Sequence, residues 1–276
     1  MNPFIFLQSI APQHLISRII GYIAKSENRW IKNVLIKMFI RCYSVNMSEA
    51  EAPAAEDYRS FNHFFARKLK PKQRAILGDI TSPCDGQVSQ AGQIKAGRLL
   101  QVKGIDYPLR SLLGEETLGN YINGSFITIY LAPKDYHRVH APVDCEIIQS
   151  RYFPGNLFSV NQITTNHVEG LFTRNERLIC EFKTRYGMVS LVFVGAMLVA
   201  GIKTVWRDAA YTPHTYVEEK SFGKSIFKQG DEIGHFELGS TVILTAQEHM
   251  DWSLSPGDLV KLGQPLVSLS DNRHQS

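Results

Sequence analysis

The sequence predicts an α+β protein that is mainly β, a β-sandwich or partly open hybrid barrel preceded by amphipathic N-terminal helices. Beyond Pro71 the chain breaks into short runs rich in β-branched and aromatic residues, "SFITIYLAP", "CEIIQSRYF", "LICEFKT", "MVSLVFVGAMLVAGIKTV" and "STVILTA", separated by Gly, Pro, Asn and Asp turns. Few helical stretches and no repeats interrupt them. Before residue 45 the apolar period is instead helical. With 276 residues and 44% hydrophobic content, the chain can bury a large core and carry a smaller appendage.

The first elements are two helices. Leu15, Ile16, Ile19, Ile20 and Ile23 recur at helical spacing, with Pro12 suited to the first turn. Trp30, Ile31, Val34, Leu35, Met38 and Phe39 repeat the pattern, while Arg29, Lys32 and Lys37 fall off that face. Neither helix is expected to span a bilayer: only "IIGYIA" is uncharged between Arg18 and Lys25, whereas a crossing needs about 20 apolar residues. No basic region precedes "FIFL", so the segment does not read as a signal peptide. The net charge of +4 is concentrated here, because residues 1–41 carry six Lys and Arg against Glu27 alone and the remainder sums to −1. That distribution argues against a nucleic-acid-binding face. The apolar stripes have two uses: packing on the protein's own core, or docking on an anionic bilayer. We therefore expect residues 1–45 to be a membrane-associating helical segment and 46–276 a β-rich catalytic domain.

"VNMSEAEAPAAEDYRS" (45–60) is an acidic connector without an apolar stripe. Ser60 is placed to cap a short helix carrying Phe61, Phe64, Phe65 and Leu69. Cys42, Cys84, Cys145 and Cys180 are widely spaced, which predicts four free thiols and a reducing compartment. "SPGDLVKLGQPLVSL" (255–269) has the turn-strand texture of carrier and hybrid-barrel domains but does not present a lysine between the turns as a carrier would.

Chemistry-bearing residues cluster in four stretches. "SPCDGQV" (82–88) places Asp85 before a glycine, where a plain hairpin turn is the simpler explanation. "YLAPKDYHRVHAPVD" (130–144) follows a strand and sets His137 and His140 three residues apart, a spacing that in a helical turn would put both rings on one side. The pair fits two ordinary histidines, half a metal site, or a general base beside a second acid/base group; no further ligand has obvious partner spacing, so no metal is expected. "GNLFSVNQ" (155–162) could contact a phosphate or simply close a hairpin. In "FELGSTVIL" (236–244) a glycine and hydroxyls interrupt a buried strand. Asp85, one of the two histidines and Ser240 together make an acid, base and nucleophile set, although a serine inside a strand is better placed to attack its own preceding carbonyl than an external substrate.

"DYRSFNHFFARKL", "YHRVH", "GNLFSVN", "RNER", "ELGST" and "GQPL", in that order, resemble the bacterial-type phosphatidylserine decarboxylases that carry a self-generated pyruvoyl group. The resemblance runs from the N-terminal helices to about residue 267. It implies that Ser240 becomes the pyruvoyl cofactor and that the Gly239–Ser240 bond is the cleavage site, giving a large chain of residues 1–239 and a small chain of 240–276 that stay associated. It implies an Asp85–His140–Ser240 triad for self-cleavage by serinolysis, and His137 as acid/base for decarboxylation. Ser159 and Asn161 are candidates for substrate binding; Glu237 and His235 receive no catalytic role. The ketone would form a Schiff base with the amine of phosphatidylserine, lose carbon dioxide and release phosphatidylethanolamine. The partner would be phosphatidylserine in an anionic membrane, with no nucleic acid and room for a homodimer, and the location peripheral on the cytoplasmic face of the cell membrane. Two rivals remain at this point, a metal-dependent hydrolase using His137 and His140, and a non-enzymatic membrane-docking β module.

Overall fold

The structure is a computed structural model that describes residues 8, 12–102, 104–115, 119, 121–196, 201–211, 216–237 and 240–267, with the backbone alone at Ser240. Leu238 and Gly239 lie outside the described residues, so the Gly239 half of the expected cleavage site is not part of this description.

Short antiparallel strands dominate, as the alternating runs predict. The strands are β1 (Gly86–Gln93), β2 (Arg98–Val102), β3 (Ile105–Pro108), β4 (Ser125–Leu131), β5 (Arg138–His140), β6 (Cys145–Phe153), β7 (Arg177–Thr184), β8 (Gly187–Gly195), β9 (Ile202–Thr204), β10 (Glu218–Ser221), β11 (Ile226–Phe227), β12 (Glu232–Phe236), β13 (Ser240–Ala246) and β14 (Leu259–Val260). The main sheet runs β10-β6-β7-β8-β13-β4-β1-β14, with β11 also on β6; a second sheet runs β5-β12-β9, and β2 and β3 form a hairpin. Among the described residues the main sheet does not close into a barrel.

Period-two alternation sends apolar side chains to both faces of the central strands. On one face Leu131, Val139, Leu191, Phe193, Phe236, Val242 and Leu244 share a core into which the second sheet packs. On the other, Phe126, Val192, Val194 and Ile243 meet Leu109, Leu112, Phe158 and Leu171. Three one-turn helices lie around that second core: Leu109–Leu113, Gln162–Thr165 and Leu171–Arg174.

The N-terminal helices are α1 (Gln13–Ala24) and α2 (Arg29–Tyr43). In α1 the buried positions are Gln13, Ser17, Gly21 and Ala24, whereas Leu15, Ile19, Tyr22 and Ile23 are exposed. In α2, Ile36 and the stem of Lys32 face inward, and Trp30 is 85% exposed beside Val34 and Met38. Lys32 is held there because its ammonium donates to the Ala55 and Glu56 carbonyls of the acidic connector. Ile36 joins Tyr58, Phe61, Phe64 and Phe65 in an aromatic cluster. Ser60 caps Phe61–Phe65 by accepting from His63 N–H at 3.2 Å, as expected. No described helix is long and apolar enough to cross a membrane. All four cysteines are free thiols.

Candidate active site

The site forms where the chain twice crosses between the two sheets. Downstream of β12, three residues carry the chain to Ser240 at the start of β13, where it lies opposite Leu131 of β4 and Gly195 of β8. Upstream, a turn after Leu131 carries the chain from β4 to His137 and β5. The two ends are tied to each other: Leu131 pairs with Ser240, and the Phe236 N–H donates to the His137 carbonyl at 3.0 Å. Phe236 is anchored further by its ring, 5.4 Å from that of Phe193 on β8. The crossing turn is shaped by Asp135, whose carboxylate accepts from Ala132 N–H at 2.8 Å, and by Arg67, which donates to the Lys134 and Asp135 carbonyls.

The segment bearing the two histidines is extended rather than helical, so the three-residue spacing does not stack the rings. They enter different surroundings. His137 is fully buried against Phe65, ring centroids 4.0 Å apart, and its Nδ1–H donates to the Asp135 carbonyl at 2.9 Å. This tautomer leaves Nε2 as a buried acceptor with no partner among the described residues. Burial, assisted by the Arg67 charge, pushes the His137 pKa down to about 3. His140 donates from Nδ1 to the Gly230 carbonyl at 2.8 Å and accepts at Nε2 from the Tyr136 hydroxyl at 3.0 Å. Burial lowers its pKa too, opposed by the Gly230 hydrogen bond and by the charges of Glu232 and Asp85.

Asp85 is buried at the turn before β1. Its carboxylate accepts from Arg74 at 2.5 and 3.1 Å and from Leu262 N–H at 2.8 Å. His140 N–H bonds the Pro83 carbonyl, which brings the aspartate turn beside β5, yet among the described residues no hydrogen bond joins Asp85 to the His140 ring. Asp85 acts on His140 through space, and the ring is oriented by Gly230 and Tyr136. Ser240 is described only by its backbone.

The loop holding Ser159 and Asn161 is pinned from two sides. The Asn161 side chain accepts from Thr164 N–H, capping Gln162–Thr165, and Ser159 N–H donates to Gln8 at 2.8 Å. Gln13 of α1 accepts from Leu157 N–H at 2.7 Å. From the other side Asn175 accepts from Phe158 N–H and donates to the Phe158 and Gly195 carbonyls, joining the loop to the strand opposite Ser240. Gly155 is required there: a Cβ would come within 2.6 Å of the Arg174 carbonyl oxygen and the Asn175 carbonyl carbon.

Sequence reasoning did not single out Arg67, Arg74, Tyr136 or Gln13 for this site. No local pattern signals them, since each acts on a residue made adjacent by folding or by a turn. A cavity of about 440 Å³ opens beside the crossing, lined by Lys25, Ser60, His63, Arg138, Lys203 and Glu237 among others. Arg138 within it is paired with Glu232 at 2.6 Å. Among the described residues no group of three or more His, Cys, Asp or Glu is arranged to hold a metal ion.

The backbone of residue 240 is flanked by β4 and β8, and His137 Nε2, one turn beyond β4, has no partner among the described residues. Residues 61–268 match the family described as phosphatidylserine decarboxylase, and residues 3–44 match a second one described as PSD. The chain is 45% identical to the phosphatidylserine decarboxylase proenzyme of Psychrobacter cryohalolentis, over 97% of this chain and 99% of that one. Identity to the proenzyme of Hahella chejuensis is 45%, over 95% and 92%, and to that of Saccharophagus degradans 46%, over 87% of each. The chain is thus a decarboxylase by kinship, and it belongs to the phosphatidylserine decarboxylase family.

The buried histidine makes a pH prediction. Folded His137 resists a proton that the unfolded chain accepts near the ordinary imidazole value of about 6.5. Its contribution to stability is therefore complete above that value and is lost as pH falls towards about 3, by up to about 1.4 kcal/mol per pH unit. Thermal melts followed by circular dichroism between pH 7 and 4 should show a falling midpoint, with a shallower fall for His137→Gln; equal slopes would contradict the assignment.

Proposed function

We propose that this protein converts phosphatidylserine to phosphatidylethanolamine at a membrane surface, using a pyruvoyl group that it makes from Ser240 by cutting its own Gly239–Ser240 bond. The observation that carries the reading is the paired crossing, which sets Ser240 opposite Leu131 while Phe236 is tied to His137.

In self-cleavage the Ser240 hydroxyl attacks the Gly239 carbonyl and gives its proton to His140, converting the peptide link to an ester. His140 suits the task because Nδ1–H is committed to Gly230 and Nε2 is the basic end, sharing the Tyr136 hydroxyl until it is needed. Asp85 favours the resulting imidazolium through space. Elimination separates residues 1–239, with an ordinary carboxyl end, from 240–276; the dehydroalanine left at 240 tautomerises and water hydrolyses it to the pyruvoyl group with loss of ammonia, and the two chains remain together because β13 is hydrogen-bonded between β4 and β8 of the large chain. The pyruvoyl group then supplies the electron sink that decarboxylation of an amino acid requires. His137, whose buried Nε2 has no partner among the described residues, is the acid/base group of the decarboxylation cycle. The cavity beside Glu237, lined by Lys25 and Lys203, receives the head group, and the loop of Ser159 and Asn161 borders the reacting strand through Asn175.

Residues 1–45 act as the membrane-associating segment and 46–276 as the catalytic domain. The outward stripe of Leu15, Ile19, Tyr22, Trp30, Val34 and Met38 enters the interface, and the surrounding Lys and Arg meet anionic lipid at the cytoplasmic face.

Two measurements test this. With vesicles containing phosphatidylserine, the purified protein should release carbon dioxide and form phosphatidylethanolamine, whereas Ser240→Ala should do neither; turnover by the alanine variant would contradict the cofactor assignment. In sedimentation with anionic vesicles, a Tyr22→Ser, Trp30→Ser double variant should bind at least about tenfold more weakly, because two large side chains no longer leave water. Unchanged binding would move the docking face elsewhere.

A further inference from the structure

The "RNER" motif contains an acid that none of the chemistry above uses. Glu176 is buried, and its carboxyl lies over Gly195, where a glycine Cβ would meet its Cγ at 2.7 Å and its Oε1 at 2.8 Å. Gly195 is the residue paired with Ser240 across β8 and β13. In an antiparallel pair, directly opposite positions share one face of the sheet with Cβ atoms about 4.5–5.5 Å apart. The glycine thus makes room for a carboxyl group brought in from a neighbouring segment to the register position of residue 240. The backbone holds it there, since Glu176 N–H donates to the Asn156 carbonyl and the Glu176 carbonyl accepts from Gly195 N–H, each at 2.9 Å.

We propose that Glu176 is a further catalytic acid of self-cleavage, giving its proton to the backbone nitrogen of residue 240 as the bond from that nitrogen to the preceding carbonyl breaks. The inference rests on the self-cleavage reading above. The balance is complete: the serine oxygen forms its bond to the carbonyl carbon and loses its proton to His140, the carbon–nitrogen bond opens, and the nitrogen takes the proton of Glu176. The proton held by His140 then restores the acid through solvent, and the products are an ester and a free amine. Without a donor, the departing nitrogen would leave as a poor, anionic leaving group.

The surroundings keep the proton available. β6 contributes the Tyr152 hydroxyl, 2.8 Å from the carboxyl, and β8 brings the backbone of Gly195 against it. Tyr211 stacks on Tyr152, and the Arg207–Glu218 ion pair lies beyond. Arg177, next along the chain, turns away to the carbonyls of Ser111, Leu112 and Thr173. With no cation bonded to it among the described residues, burial raises the Glu176 pKa to about 7, offset in part by the Tyr152 hydrogen bond.

The test follows cleavage rather than decarboxylation. Full-length precursor from a brief cell-free synthesis is transferred to buffers from pH 5.5 to 9, and the appearance of the 1–239 chain is timed on denaturing gels. Wild-type cleavage should slow above about pH 7 as the acid is lost. Glu176→Gln, which keeps the size and the Tyr152 contact, should cleave at least about tenfold more slowly at pH 6.5 and lose that alkaline fall. Tyr152→Phe removes a bond that favours the carboxylate, so its fall should move to higher pH, a change that mere disruption of the fold would not produce. If the wild type cleaves but Glu176→Gln matches its rate and profile, or Tyr152→Phe leaves the fall in place, the role of Glu176 is overturned. A wild type that cleaves at no pH would instead overturn the self-cleavage reading.

Discussion

The site depends on one constraint, the fixed register of β13 between β4 and β8. A strand slip of one residue exchanges its two faces, and here both faces are buried: Val242 and Leu244 belong to one core and Ile243 to the other. That register sets residue 240 against Leu131 and Gly195. Phe236, at the end of β12, is anchored independently by the Phe193 ring and the His137 carbonyl.

Around these anchors burial disfavours the charged form of both histidines. His137 and His140 are both neutral imidazoles whose Nδ1–H is committed to a carbonyl, so each offers the same ring atom, Nε2. The charges that do exist nearby are paired and structural: Arg74 neutralises Asp85 and reaches Glu49, and Arg138 is clasped by Glu232, whose burial is outweighed by its bonds to His235 and Arg138. The N-terminal helices complete the frame from outside. α1 gives its small and polar face to the protein, with Gln13 reaching the loop at Leu157, α2 packs Ile36 and Phe39 on the aromatic cluster, and both leave large apolar side chains such as Tyr22 and Trp30 exposed.

Much of the fold was legible in the sequence because burial leaves a periodic trace. The alternating runs became strands, Ser60 became a helix cap, and the helical stripes became helices. Which way those stripes would face was not legible, since a hydrophobic stripe records that a face avoids water without recording what covers it. The site was half legible. Asp85, His137, His140 and Ser240 stood out through motifs, but the alignment of the two crossings depends on pairings about 100 residues apart in sequence, such as Leu131 with Ser240. Tyr136 and Gly230 orient His140, a task the sequence reading gave to Asp85, because an aspartate looks like the natural partner of a histidine until Arg74 is seen to occupy it.

The central claim is that the chain cuts itself once, and intact mass under denaturing conditions tests it most directly. Freshly purified protein should give two species, residues 1–239 with an ordinary carboxyl end and residues 240–276 with a pyruvoyl group in place of the first serine. A single species with the mass of the uncut 276-residue chain, persisting after incubation with phosphatidylserine vesicles, would contradict the account.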